Sequence, residues 1–162
     1  MSADLFAMLN DLGITVETLE HDATFTVAES QQIKSDMPGG HSKNLFLKDK
    51  AGNLVLISAH HDTQIVLNQL HKTIGTKRLS FGKAELMEDV LGVVPGSVTA
   101  FALMNDNEQR VRFILDKALS DFDTLCFHPL RNTATTAISR SDFDSFVSAT
   151  GHEIEIIDFS AL

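Results

Sequence analysis

Apolar residues recur with two different spacings along this chain, and the changes between them predict the order of its secondary structure. Residues 3–12 carry apolar side chains at helical spacing and are followed by Gly13, which predicts an amphipathic helix that ends there. Short apolar runs bounded by turn-forming residues predict strands. The same criteria predict further helices over 27–34, 62–70, 84–91 and 141–149, and strands over 14–19, 43–48, 53–58, 79–81, 98–103, 111–115, 123–127, 135–139 and 153–159.

The connections between these elements indicate the fold class. Most neighbouring strands are joined by short turns, and residues 49–52 have the composition of a β-hairpin turn. A chain of 162 residues suits one domain with its own core. We therefore expect an α+β fold over residues 1–162, a single domain with a mixed, mostly antiparallel sheet that is curled or forms a partial barrel, and helices around it.

Cysteine content and hydropathy exclude several classes of protein. The chain has one cysteine, Cys126, which excludes an internal disulfide and a cysteine-based zinc site. No apolar stretch approaches the length of a membrane span. The first residues lack the basic flank of a secretory signal. We therefore expect a cytoplasmic protein that does not bind membranes.

Charge is distributed unevenly along the chain. The net charge of −9 argues against non-specific coating of nucleic acid, and no helix-turn-helix pattern supports DNA binding. Residues 34–83, however, hold eight lysines or arginines against three acidic residues. Such a basic middle could attract a phosphate backbone locally, although a solvated surface explains the same pattern.

Lys43 is the strongest candidate for chemistry. It stands at the start of an apolar, strand-like segment, after the flexible turn Pro38-Gly39-Gly40. Lysine is rarely fully buried without a partner. A lysine at a junction between loop and strand can direct its three donors into a cleft.

Two other segments contain the residue types of a binding site. Residues 92–98 place glycines on both sides of Pro95, a stiff turn whose backbone N–H groups could receive an oxyanion or a carbonyl oxygen. Residues 127–133 place His128, Asn132 and Thr133 at the end of a predicted strand. Each segment alone is also typical of an ordinary loop.

Metal and nucleophile signals are weaker. His60, His61 and Asp62 suggest a metal site, but neighbouring residues on a strand point to opposite faces, so we expect no shared ion. Cys126 lies between apolar neighbours and is expected in the core.

These segments together resemble the YbaK/ProX-type aminoacyl-tRNA deacylase family, in particular its freestanding prolyl-tRNA editing branch. The resemblance rests on residues 43–49, 92–98 and 127–136, with 21–27 similar to an N-terminal pocket strand and 75–81 to the segment before a helix. It extends over nearly the whole chain. It implies one compact domain that binds no metal or cofactor.

The resemblance also implies a function and a set of roles. The expected activity is trans-editing, the hydrolysis of mischarged Ala-tRNAPro, with the tRNA acceptor end as partner and a transient association with prolyl-tRNA synthetase. Lys43 is the expected catalytic residue, because an aminoacyl ester needs only a positioned water and charge stabilisation. The expected substrate-binding residues are Phe25, Thr26, Asn44, Gly92, Val93, Val94, Pro95, Gly96, Ser97, Phe127, His128 and Asn132.

Selection by size would explain the substrate. A synthetase site built for proline rejects alanine weakly, because a missing methylene is worth about 1–3 kcal/mol. A second, smaller pocket lined by apolar residues such as Phe25, Leu45, Val93 and Phe127 would exclude proline. Two alternatives remain open: a non-catalytic module that binds tRNA or a synthetase, and a deacylase for another amino acid, such as one acting on Cys-tRNAPro.

Overall fold

The structure is a computed structural model that describes residues 2–23 and 27–161, with the side chains of the same ranges except 27–30. Six α-helices occur in the described ranges: α1 Ser2–Asp11, α2 Val27–Asp36, α3 Leu67–Ile74, α4 Ala84–Leu91, α5 Lys117–Ser120 and α6 Arg140–Ala149. Eight strands accompany them: β1 Glu17–Glu20, β2 Gly40–Asp49, β3 Leu54–His60, β4 Leu79–Phe81, β5 Val111–Asp116, β6 Thr124–Phe127, β7 Ala134–Ser139 and β8 Ile154–Ile157. Short 3₁₀ helices cover Ala100–Asn105 and Phe159–Ala161.

All eight strands belong to one mixed sheet. Its order is β1-β7-β6-β2-β3-β5-β8, and β4 pairs with β2 outside this path. The pairs β1/β7, β6/β7, β2/β3 and β2/β4 are antiparallel, whereas β2/β6, β3/β5 and β5/β8 are parallel. The sheet is open, with β1 and β8 at its two ends. The predicted α+β class with a mixed sheet is therefore confirmed.

Two clusters of buried apolar residues pack on the sheet. The larger contains Phe101, Phe127, Phe143 and Phe146, whose rings form contacts with centroids 4.9 to 5.4 Å apart. The smaller cluster includes Leu47, Val55, Ile57 and Ala59 and packs against α3. Alternate residues of β3 belong to different clusters because successive side chains point to opposite faces of a strand.

Two predicted elements differ from the structure. The predicted strand 98–103 is largely the 3₁₀ helix Ala100–Asn105, because Thr99 caps it by accepting a hydrogen bond from the Phe101 N–H at 3.3 Å. Its first four residues are all buried, and a continuous apolar run does not distinguish a strand from a helix. The helix predicted over 62–70 begins only at Leu67, so Asp62 does not cap it. Within residues 2–23 and 27–161, none of the helices has the length and apolarity needed to cross a membrane.

The aromatic cluster predicts a large cost for removing one ring. Phe127 is 1% exposed, whereas Phe81 is 60% exposed. We expect Phe127→Ala to lower the free energy of unfolding by about 3–5 kcal/mol, the usual cost of such a cavity. The control Phe81→Ala should change it by less than about 0.5 kcal/mol. Urea unfolding followed by circular dichroism measures both, and equal small effects would contradict this description of the core.

Candidate active site

A polar cavity of about 210 Å³ lies next to the first residues of β2. Four imidazoles, one lysine and two hydroxyls contribute to its lining, and none of the described lining residues carries a carboxylate. The lining residues are His21, Ile33, Lys34, His41, Ser42, His61, His128 and Thr135.

Strand pairing brings these residues together from distant parts of the sequence. The parallel pairing of β2 with β6 places His41 opposite Cys126, so that His128 follows close to Ser42. The Ser42 hydroxyl donates to the carbonyl of Cys126 at 2.8 Å, which fixes this junction. His21 joins them because its backbone N–H donates to the carbonyl of Thr133 at 2.9 Å.

Three of the imidazoles are each held by a backbone carbonyl. His128 donates from Nδ1 to Ala134 at 2.9 Å, His41 donates from Nε2 to Met37 at 2.6 Å, and His21 donates from Nδ1 to Asp22 at 2.7 Å. A carbonyl only accepts, so the nitrogen that faces it carries the proton. In a neutral imidazole the other nitrogen is then an acceptor. His21 uses its acceptor for the Thr135 hydroxyl at 2.8 Å.

The environment of the cavity disfavours positive charge on two of these rings. Burial lowers the pKa of His128, the hydrogen bond to Ala134 opposes this, and nearby His21 lowers it further. Burial also lowers the pKa of His41 against the opposing Met37 hydrogen bond, with His61, Lys34 and His60 adding to the decrease. Both environments therefore favour the neutral ring, in which His128 presents Nε2 as an acceptor.

Lys43 lies in β2 and is not among the described residues that line this cavity, but its side chain reaches the turn that follows β3. Its ammonium donates to the backbone carbonyl of Thr63. The same turn contributes His61 to the cavity, and the His61 N–H donates to the carbonyl of His41 at 3.0 Å. The half-buried Lys43 side chain thus has a fixed partner and two remaining donor hydrogens.

Asp116 fixes this turn from the end of β5. It is 1% exposed, and its Oδ2 accepts hydrogen bonds from the Thr63 hydroxyl at 2.5 Å and the His60 N–H at 3.0 Å. Its Oδ1 accepts from the Ala118 N–H at 3.1 Å. Asp116 therefore acts on Lys43 through the backbone of the turn.

Asn44 points to the opposite face of β2 from Lys43 and does not line the cavity. Its Nδ2 donates to the Ser42 hydroxyl at 3.1 Å, and its Oδ1 accepts from the Ser58 hydroxyl. Asn44 therefore orients Ser42, which does line the cavity.

The Gly-Pro loop lies next to the segment that contains His128. Gly92 and Gly96 have φ angles of 66° and 92°, in the left-handed region that favours glycine. A Cβ placed on Gly96 would lie 3.5 Å from Asn132 Nδ2, so this loop and residues 127–133 are neighbours. Val94, Pro95 and Gly96 are exposed, whereas the side chains of Val93 and Ser97 are buried.

The predicted apolar pocket does not form among the described residues. Phe127 and Val93 belong to the larger core cluster, Leu45 packs on the other face of the sheet, and Val94 is exposed. These side chains do not line the cavity next to β2, where Ile33 is the single apolar lining residue described. The predicted positions Phe25 and Thr26 lie outside the described residues.

The argument against a shared ion at His60 and His61 is also wrong. Because β3 ends at His60, the chain turns there and the two rings lie 4.2 Å apart. The ligand atoms of His60, His61 and Asp62 all lie within 4.8 Å of one another. In the structure these groups instead contact protein atoms: His60 Nδ1 accepts from the Asp62 N–H at 3.2 Å, and His61 contacts Asp62 at 3.3 Å.

Sequence reasoning missed several residues of this site. His21, His41 and Lys34 line the cavity, and Thr63 and Asp116 hold Lys43. Five of the seven histidines lie in or beside the cavity, but nothing in their spacing along the chain indicates that they meet. The parallel pairing of β2 with β6, the antiparallel pairing of β2 with β3 and the contact of His21 with Thr133 bring them together.

Comparison with known proteins shows the family to which the chain belongs. The aminoacyl-tRNA editing domain family matches residues 21–146. Prolyl-tRNA synthetase associated domain-containing protein 1 of Mus musculus is 39% identical, with 98% of this chain and 96% of that protein covered. The prolyl-tRNA editing protein ProX of Acetoanaerobium sticklandii is 32% identical, with 95% and 94% covered.

The fold is also found among solved structures. A crystal structure described as that of "a putative trans-editing enzyme for prolyl tRNA synthetase" superposes with a TM-score of 0.71 at 17% identity, covering 97% of this chain and 96% of the other. The profile match over residues 21–146 and the end-to-end relatives above 30% identity show the family. This chain therefore belongs to the aminoacyl-tRNA editing domain family.

Proposed function

We propose that this protein hydrolyses mischarged aminoacyl-tRNA in trans, with Ala-tRNAPro as its substrate. The observation that supports this best concerns the turn after β3. This turn accepts a hydrogen bond from the Lys43 ammonium and contributes His61 to the imidazole-lined cavity. Such an arrangement offers cationic stabilisation and hydrogen-bond acceptors without a protein nucleophile. An aminoacyl ester needs no more than this, because it is already reactive.

The proposed reaction uses water as the nucleophile. The water oxygen attacks the ester carbonyl carbon, and the developing oxyanion is stabilised by the donor hydrogens of Lys43 that Thr63 does not use. The attacking water loses one proton, the bond from that carbon to the ribose oxygen breaks, and that proton passes to the ribose oxygen. The products are the free amino acid and uncharged tRNA.

His128 is suited to orient the attacking water. Its Nδ1 proton is committed to the Ala134 carbonyl, so its neutral ring offers Nε2 as an acceptor. That acceptor can hold a proton of the water or of the terminal adenosine's hydroxyl. The exposed backbone of residues 94–96 is close to Asn132 and available to contact the aminoacyl group.

Lys43 is expected to be essential for turnover. In Lys43→Ala the single-turnover rate constant for Ala-tRNAPro should fall by about a hundredfold to a thousandfold, the usual loss when one oxyanion donor is removed. Lys72, an exposed lysine on α3, provides the matched control, and Lys72→Ala should keep the wild-type rate. A wild-type rate in folded Lys43→Ala would remove Lys43 from this role. Complete inactivity of the wild type with intact tRNA binding would instead indicate a non-catalytic binding module.

The identity of the amino acid is tested by a panel of charged tRNAs. We expect tRNAPro carrying alanine to be hydrolysed about 10- to 200-fold faster than tRNAPro carrying proline, the range that pocket size alone provides. Faster hydrolysis of the cysteine ester would assign the enzyme to that substrate instead. Deacylation of proline as fast as alanine would contradict selection by size.

The proposed role of His128 makes a prediction about its titration. Its pKa should lie below the ordinary value of about 6.5, because burial and His21 both disfavour the charged ring. His21→Gln removes one of these causes and should raise the pKa of His128. NMR titration of the ring protons measures both, and an ordinary or raised pKa in the wild type would contradict the neutral acceptor.

A further inference from the structure

We propose that the imidazole-lined cavity binds a phosphodiester of the tRNA, the one next to the terminal adenosine, and takes up a proton when it does so. This inference rests on the proposed function, because it assigns one part of the tRNA substrate to the cavity. The aminoacyl group would then lie toward Lys43 rather than inside the cavity.

The composition of the lining is the first argument. The protein has 22 acidic residues, yet none of the described lining residues is acidic. Lys34, four imidazoles and the hydroxyls of Ser42 and Thr135 face a volume of about 210 Å³. Lys34 and a protonated imidazole are donors that recognise phosphate, whereas an alanine methyl group would gain little from them. The hydroxyl protons of Ser42 and Thr135 are already donated to the Cys126 carbonyl and to His21.

The way the imidazoles are held is the second argument. His21, His41 and His128 each commit one N–H to a backbone carbonyl. The second nitrogen of such a ring is an acceptor while the ring is neutral, which is the state of His128 in the proposed reaction. It becomes a donor when a proton is added, which is the change proposed here for His41. An anion favours the protonated ring, so its binding should draw a proton from solution.

The charged groups around these rings favour this coupling. His41 faces Lys34 from α2 and His60 and His61 from the turn after β3, and His128 faces His21. These neighbours disfavour protonation of the two rings when no anion is bound, whereas a bound anion favours it. The nearby carboxylates are Asp62, whose side chain is 77% exposed beside His61, and Glu20, which is paired with Arg131 at 2.6 Å.

The test uses the uncharged dinucleotide cytidylyl-(3′→5′)-adenosine, which contains one phosphodiester and no amino acid. Calorimetry in two buffers with different ionisation enthalpies, between pH 6 and pH 8, gives affinity and proton uptake together. We expect uptake of a proton, with affinity falling about tenfold per pH unit for each proton taken up. Adenosine alone should show neither proton uptake nor this pH dependence.

A histidine variant identifies the ring responsible. His41→Gln should reduce proton uptake and flatten the pH dependence of dinucleotide binding. His71, on α3, does not line the cavity, so His71→Gln is the matched control and should behave like the wild type. If the buried His41→Gln variant fails to fold, NMR of the wild type provides the same information, through the changes in its histidine ring signals when the dinucleotide is added.

Three outcomes would overturn the proposal. The first is an affinity for the dinucleotide that does not depend on pH, and the second is equal proton uptake when adenosine binds. The third is inorganic phosphate that binds as tightly as the dinucleotide, which would indicate a site for free anions. Deacylation assays separate this from the proposed function. Hydrolysis of Ala-tRNAPro without proton-linked dinucleotide binding would leave the function and exclude the phosphodiester site. Proton-linked binding of the dinucleotide without hydrolysis of Ala-tRNAPro would leave the phosphodiester site and exclude the proposed function.

Discussion

The buried carboxylate of Asp116 fixes the turn on which the candidate active site depends. It accepts three hydrogen bonds, from the His60 and Ala118 N–H groups and from the Thr63 hydroxyl. The buried Asp116 side chain would be costly to leave without these donors, by about 1–3 kcal/mol or more. The turn held in this way orients the Thr63 carbonyl toward the Lys43 ammonium and places His61 at the cavity. A buried side chain at the end of β5 thereby positions two groups that lie far from it in sequence.

Apolar side chains fill the core and polar side chains line the cavity, and this separation determines which part of a substrate the cavity suits. The phenylalanine rings that could have formed a small pocket pack against one another in the core. What remains beside Lys43 is a cavity of imidazoles and hydroxyls, which suits the sugar-phosphate part of a nucleic acid. The proposed phosphodiester site would let a chain with a net charge of −9 bind an acidic partner at one place, because acidic residues are absent from the described lining.

Much of the fold could be predicted from local patterns. Helix α4 was predicted to its last residue because Gly92 adopts the left-handed conformation that ends helices. The hairpin between β2 and β3 followed from its turn residues. The 3₁₀ helix at Ala100–Asn105 was missed because its apolar residues are buried on all sides, which removes the periodicity that separates helix from strand.

The sequence predicted only part of the site, because several of its residues come together through the pairing of strands that are far apart in sequence. Lys43, Asn44 and His128 stand out in the sequence because they flank strands and glycine turns. His41, Thr63 and Asp116 acquire their roles from the parallel pairings β2/β6 and β3/β5, which join strands far apart in sequence. The strand predicted over 53–58 ends before both histidines, and β3 ends at His60. The error about His60 and His61 arose from applying strand geometry to both, although the end of a strand changes the direction of the next side chain.

The most direct test of this account is the single-turnover rate of Ala-tRNAPro hydrolysis in Asp116→Asn, with Thr63→Val as a second variant that removes one of the three hydrogen bonds. Unfolding measurements select conditions in which both variants are folded. If the turn positions Lys43, the rate constant at saturating enzyme should fall by about tenfold to a hundredfold, the usual cost of a misplaced catalytic group, while tRNA affinity stays the same. A wild-type rate constant in folded Asp116→Asn would contradict the account.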